Sequence, residues 1–162
     1  MLKVKSRTYI VFSGIIWLVA GFFQLIFGIN ILLYSVLGTQ SDPIFIQILS
    51  DTRSKECTAV LLICFSLLMG YLLGKHFFAK SVSKIVYQIL NFSYPLHLFR
   101  IYSLRYWMVL SLCFFSFLNL KHFEISYDIS GSINMILGAS LVIASLYYFR
   151  FAFALKKNKN SL

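Results

Sequence analysis

Four long apolar runs separated by charged residues constrain this chain more than any other feature. They occupy residues 9–37, 57–73, 104–120 and 133–149. A bilayer core takes roughly 20 predominantly apolar residues in a helix, and a lipid-exposed backbone must satisfy its own hydrogen bonds. The pattern therefore predicts an all-α integral membrane protein, a single membrane domain over residues 1–162 built as a bundle of four transmembrane helices.

Composition supports the same class. Hydrophobic residues make up 59% of the 162 positions and charged residues 12%, whereas about a quarter of an average soluble domain is charged. A small soluble domain could not hide this much apolar surface. The first run is also much longer than the apolar core of a signal peptide, so we expect it to be retained as the first helix.

The charges divide unequally between the two sides of such a bundle. With the N-terminus inside, the inner segments hold twelve Lys and Arg and no acidic residue, while the outer segments hold three basic and all five acidic residues. Short loops rich in Lys and Arg stay cytoplasmic. Both termini are therefore predicted to be cytoplasmic, in a cell membrane of bacterial inner-membrane type. Since topology accounts for the formal charge of +10, no nucleic-acid partner is expected.

Residues 77–91 between the second and third spans have a different periodicity. Apolar residues recur at helical spacing, with polar residues on the other side: Phe78, Val82, Ile85 and Ile89 against Lys80, Lys84, Gln88 and Asn91. This pattern predicts a cytoplasmic amphipathic helix lying in the membrane interface. Membrane lipids are the expected partner, with headgroup contacts from Lys75, Lys80, Lys84, Arg100 and Arg105.

Small residues recur along the first, second and fourth runs. Helices in lipid associate through close packing of small residues and interhelical hydrogen bonds, so these positions predict packing surfaces. The predicted set is Gly14, Trp17, Gly21, Gln24 and Gly28 in the first helix, Ser66, Gly70 and Gly74 in the second, and Gly131, Gly138 and Ser145 in the fourth.

Gln24 is the most informative polar residue, because a carboxamide near mid-membrane is costly without a partner. One interpretation is an interhelical hydrogen bond to Asn119, Asn134 or a serine. The other is a polar cavity for a substrate or a lipid headgroup, formed by Gln24, Asn119 and Asn134.

Patterns associated with catalysis or metal binding are missing. No acidic residue lies in a predicted span, and neither a phosphate-binding loop nor a zinc-peptidase motif occurs. The three cysteines are scattered, and the three histidines are predicted on opposite sides. Asp51, Arg53, Glu56 and Asp128 are interpreted as a solvated outer rim. We therefore expect no enzymatic activity, no metal and no cofactor.

Two functional hypotheses follow. The first is a non-enzymatic inner-membrane protein acting through helix and lipid contacts as a subunit, an assembly factor or a lipid-associated protein. Its partners would be lipids and a second copy of the chain or another membrane protein. The alternative is a small oligomeric transporter or channel for a neutral or anionic solute, lined by Gln24, Asn119 and Asn134.

Overall fold

A computed structural model describes residues 2–37, 54–91 and 126–159 of the chain. Within these ranges the regular elements are all helical. They are α1 (Leu2–Leu37), α2 (Lys55–Leu73), a π-helical turn (Gly74–Phe78), α3 (Ala79–Asn91) and α4 (Tyr127–Lys159).

Three helical stretches in the described ranges are long and apolar enough to cross a membrane. They are Arg7–Val36, Lys55–Leu90 and Tyr127–Leu155. The runs at 9–37, 57–73 and 133–149 lie on these helices, so an all-helical membrane bundle fits the structure. The predicted span at 104–120 lies outside the described residues.

Of the helices that the structure describes, α1 and α4 form the most extensive pair, and they run antiparallel. A Cβ atom placed on Gly21 would lie 3.0 Å from the carbonyl oxygen of Gly138, and one on Gly28 would lie 2.9 Å from that of Gly131. The residue numbers in contact decrease along α4 as they increase along α1, so the two helices run antiparallel. Only glycine permits such an approach, because the helix backbones are in direct contact.

Helix α2 packs on another side of α4 and runs parallel to it. A Cβ atom on Gly70 would lie 2.6 Å from the Cβ of Ala139, and one on Gly74 would lie 2.7 Å from the Cβ of Ile143. Helix α4 is therefore central. Of the most apolar window of each helix, 56% is buried in α4, against 33% in α1 and 28% in α2.

The helix that begins with α2 continues past the end of its apolar run. Gly74 has helical angles (φ −57°, ψ −47°), and the chain passes through the π-helical turn directly into α3. The apolar run ends at Gly74 as predicted, but the helix does not, because Gly74 keeps helical angles and no proline lies between Gly74 and Pro95.

The π-helical turn keeps one face of this long helix against the bundle. The residues facing inward are spaced by four: Ser66, Gly70, Gly74, Phe78, Val82 and Val86. Four residues advance an α-helix by about 400°, so a stripe with this spacing drifts by about 40° at each step. A π turn closes with an extra residue and reverses part of that drift.

Among the described residues, two apolar clusters fill the interior. The larger joins α3 to α1 and α4 through Val82, Ile85, Val86 and Ile89, packed with Ile10, Trp17, Leu141, Ala144, Tyr148 and Ala152. The smaller contains Leu32, Ala59 and Met135. The amphipathic pattern of residues 77–91 is present as a helix, but its apolar face packs into the chain's own core.

Candidate functional site

A buried pair of carboxamides lies at the centre of the contact between α1 and α4. The Nε2 of Gln24 donates a hydrogen bond to the Oδ1 of Asn134 at 2.9 Å. Asn134 is fully buried and Gln24 is 8% exposed. The Nδ2 of Asn134 donates in turn to the carbonyl oxygen of Ser130 at 2.8 Å. The pair is the interhelical bond that one interpretation of Gln24 predicts.

Glycines bracket this pair along the helix contact. On one side Gly21 lies against Gly138, and on the other Gly28 lies against Gly131. Their backbone contact brings α1 and α4 close enough for two short carboxamide side chains to meet. We call this contact the glycine seam, consisting of Gly14, Gly21, Gly28, Gly131 and Gly138.

The part of the glycine seam nearest the N-terminus of α1 is less tight. A Cβ on Gly14 would lie 3.1 Å from the Cβ of Tyr148 and 3.1 Å from a ring carbon of Phe149. These neighbours are side-chain atoms, unlike the backbone atoms facing Gly21 and Gly138. Ser145 of α4 is also buried, and its Oγ donates to the carbonyl oxygen of Val142 at 2.7 Å.

Trp17 belongs to the larger apolar cluster. Its side chain is 4% exposed, and its ring meets that of Phe78 edge to face at 6.0 Å between centroids. The indole therefore packs α1 against the π-helical turn, and this contact explains why a tryptophan lies well inside the first span.

The second small-residue face, made by Ser66, Gly70 and Gly74, lies against α4 on the side away from the glycine seam. All three residues are buried. The Ser66 Oγ has no hydrogen-bond partner among the residues that the structure describes. Ala139 and Ile143 contact this face, but the sequence analysis does not identify them. Their spacing of four residues is the only sign of this contact in the sequence.

Several buried hydroxyl groups bond to the backbone of their own helix. Ser35 donates to the carbonyl of Leu32, and Ser140 to that of Leu137, each at 2.7 Å. Such bonds satisfy the hydroxyl without a partner on another helix. These serines therefore act as small packing residues, and their donors are not free for a solute.

Asp128 departs from the sequence prediction. It was expected in a solvated rim, and that prediction is wrong, because Asp128 is fully buried. Its Oδ1 accepts a hydrogen bond from the Ser126 hydroxyl and one from the Ile129 N–H at 2.8 Å. The first turn of a helix offers free N–H groups and the positive end of its dipole, which together favour a buried carboxylate there.

The predicted headgroup contacts are partly in view. Lys75, Lys80 and Lys84 are exposed, and the Lys75 Nζ lies 5.9 Å from the centroid of the Tyr71 ring. Arg100, Arg105 and the predicted cavity residue Asn119 lie outside the described residues. In the ranges that the structure covers, no three His, Cys, Asp or Glu side chains group as a metal site would need.

Comparison with known proteins adds no assignment. No family model matches the chain, and neither a curated protein nor a solved structure matches it. What the site does must therefore be inferred from its own chemistry.

Proposed function

We propose that this chain is a non-enzymatic, multi-pass inner-membrane protein. It acts through helix and lipid contacts as a subunit, an assembly factor or a lipid-associated protein. The observation that carries the proposal is the Gln24–Asn134 pair inside the glycine seam, where both side chains engage each other instead of an open cavity. A centre closed in this way suits a rigid helical scaffold.

Four spans are part of the proposal. Helices α2 and α4 run parallel, so the end of α3 at Asn91 and the start of α4 at Tyr127 lie at opposite ends of the bundle. The chain between them has to return across its length. Residues 104–120 supply an uncharged run of 15 side chains after Arg105, about 23 Å as a helix, which fits a short fourth crossing.

Charge at the two ends supports an orientation with both termini cytoplasmic. Antiparallel packing of α1 and α4 puts Arg7 and Arg150 at one end, which we call the basic end, together with Lys80 and Lys84. Glu56 and Asp128 lie at the other, the acidic end. Between them, the 18 residues from Cys57 to Gly74 are uncharged and span about 27 Å as a helix, close to the roughly 30 Å of a bilayer core.

The alternative hypothesis of a transporter or channel is less well supported. A solute pathway lined by Gln24 and Asn134 needs their hydrogen-bonding groups to face a cavity. Here the amide nitrogen of Gln24 and both polar groups of the Asn134 side chain have protein partners. We retain the scaffold as the proposed function.

Native mass spectrometry in a mild detergent tests the proposal directly. If the chain is a scaffold, it should appear either as a monomer that retains phospholipid or as a complex with another membrane protein. A closed homo-oligomer that retains a small polar solute, and loses it in the Gln24→Leu variant while staying folded, would contradict the proposal and support transport.

A further inference from the structure

A stripe of mixed chemistry runs along the outward face of the π-helical turn and α3. Phe77, Lys80, Lys84 and Tyr87 are spaced by three, four and three residues, which aligns them on one helix face. All four are exposed, Phe77 by 66% and Tyr87 by 68%. Two cations are thus flanked by two aromatic rings. We call these four residues the basic stripe.

The rest of α3 orients the basic stripe away from the bundle. Val82, Ile85 and Ile89 occupy the opposite face and are buried in the larger apolar cluster. This packing fixes the helix, so the two lysines and two rings are held outward together. A helix lying freely on a membrane would instead turn its apolar residues to lipid and its lysines to water.

The basic stripe begins where the uncharged part of α2 ends. Lys80 and Lys84 lie about 5 and 10 Å beyond Phe77 along the helix axis. The headgroup layer of one leaflet is about 5–8 Å thick, and a lysine can extend its ammonium group along the helix toward it. Both lysines therefore reach phosphate depth, and aromatic rings are favoured at this interface.

Among the residues that the structure describes, no acidic side chain lies near this surface. The chain's five acidic residues all lie within 42–56 and 124–128, whereas 57–123 contains none. Of these acids, Glu56 and Asp128 are described, and both lie at the acidic end. Within the described part of the chain, the two lysines thus have no acidic partner, and an anionic molecule outside the chain would match their charge.

We propose that the basic stripe binds the headgroup of an acidic phospholipid. Lys80 and Lys84 pair with its phosphate, Phe77 packs on the upper acyl chain, and Tyr87 covers the headgroup from the water side. This proposal rests on the proposed membrane function and specifies the lipid that the scaffold contacts.

Native mass spectrometry with two lipids tests this proposal. The purified protein in mild detergent is titrated with phosphatidylglycerol or phosphatidylcholine, and retained lipid is counted. The wild type should prefer phosphatidylglycerol. Each lysine at an anionic surface contributes about fivefold, so Lys80→Gln/Lys84→Gln should lower retention of phosphatidylglycerol by about 30-fold. Lys55→Gln, at the acidic end, is the matched control and should leave it unchanged.

Three outcomes would overturn the proposal. One is equal retention of the two lipids by the wild type. Another is full displacement of phosphatidylglycerol by glycerol 1-phosphate, which would show a site for free phosphate. The third is unchanged lipid retention in the double variant with loss of a copurifying polypeptide, which would show a protein partner. These outcomes concern lipid preference and the double variant, whereas the proposed function is judged by what the wild type retains, so the two proposals can fail separately.

Discussion

At the scale of single residues, the Gln24–Asn134 pair links position in the sequence to the register of two helices. A carboxamide inside lipid is stable only with a partner, and the two residues meet only when Gly21 faces Gly138 and Gly28 faces Gly131. A sliding of α1 along α4 by one turn would break the bond and bring side chains against backbone. The pair therefore specifies the register that the glycines make possible.

We expect Gln24→Leu to destabilise the protein by about 1–2 kcal/mol, because the buried Oδ1 of Asn134 loses its donor. Asn134→Leu should have a similar effect, and the double variant should cost less than the sum, since replacing both partners leaves no orphaned group. Thermal unfolding in detergent measures all three. Asn30→Leu, which removes an exposed carboxamide from the same helix, should be close to neutral. Simple additivity in the double variant would show that the bond has no energetic role.

The glycine seam makes a graded prediction. The nearest atoms to a Cβ on Gly21 include the backbone nitrogen of Val142 at 2.9 Å, whereas a Cβ on Gly14 has its nearest neighbours at 3.1 Å, and two of its three nearest atoms belong to the Phe149 ring. Backbone cannot move aside locally, so Gly21→Ala should cost about 1–3 kcal/mol and Gly14→Ala clearly less. Unfolding temperatures in detergent check this order, with the lipid-facing Val19→Ile as control. Equal effects at the two glycines would contradict the close backbone contact.

At the scale of elements, the sequence predicts which residues share a helix face better than it predicts what that face packs against. The spacing of Gly14, Gly21 and Gly28 predicts a packing surface, and the amphipathic spacing of residues 77–91 predicts a helix. Periodicity does not say what covers an apolar face, so the burial of Ile85 and Ile89 within the chain could not be deduced. The π-helical turn and the burial of Asp128 depend on tertiary contacts and are equally invisible.

Packing of α3 into the bundle can be tested with two neighbouring residues. Ile89 is 2% exposed in the larger apolar cluster, whereas Leu90 is 41% exposed. Ile89→Ala should destabilise the protein in detergent by about 2 kcal/mol or more, and Leu90→Ala should have little effect. If α3 instead held its apolar face to lipid, neither substitution would lower the unfolding temperature in detergent.

At the scale of the whole molecule, the charges and the helix directions agree on one arrangement. A bundle with α1 antiparallel to α4, and α2 parallel to it, gathers Arg7, Lys80, Lys84 and Arg150 at the basic end and leaves Glu56 and Asp128 at the acidic end. Because short basic segments are retained in the cytoplasm, such a bundle has one favoured orientation. Cysteines at known heights along α2 make that orientation measurable.

Cys57 and Cys64 are both exposed on α2, one at the acidic end and the other two turns deeper. In a Cys113→Ser variant, a membrane-impermeant maleimide applied to intact cells should label Cys57 from outside and reach Cys64 only after detergent is added. In a cysteine-free variant carrying Ser81→Cys, at an exposed position beside Lys80, labelling should require inverted vesicles. Labelling of Ser81→Cys in intact cells would contradict this orientation, because the basic stripe would then lie at the outer leaflet. Labelling of Cys57 and Ser81→Cys from the same side would mean that α2 does not cross the membrane.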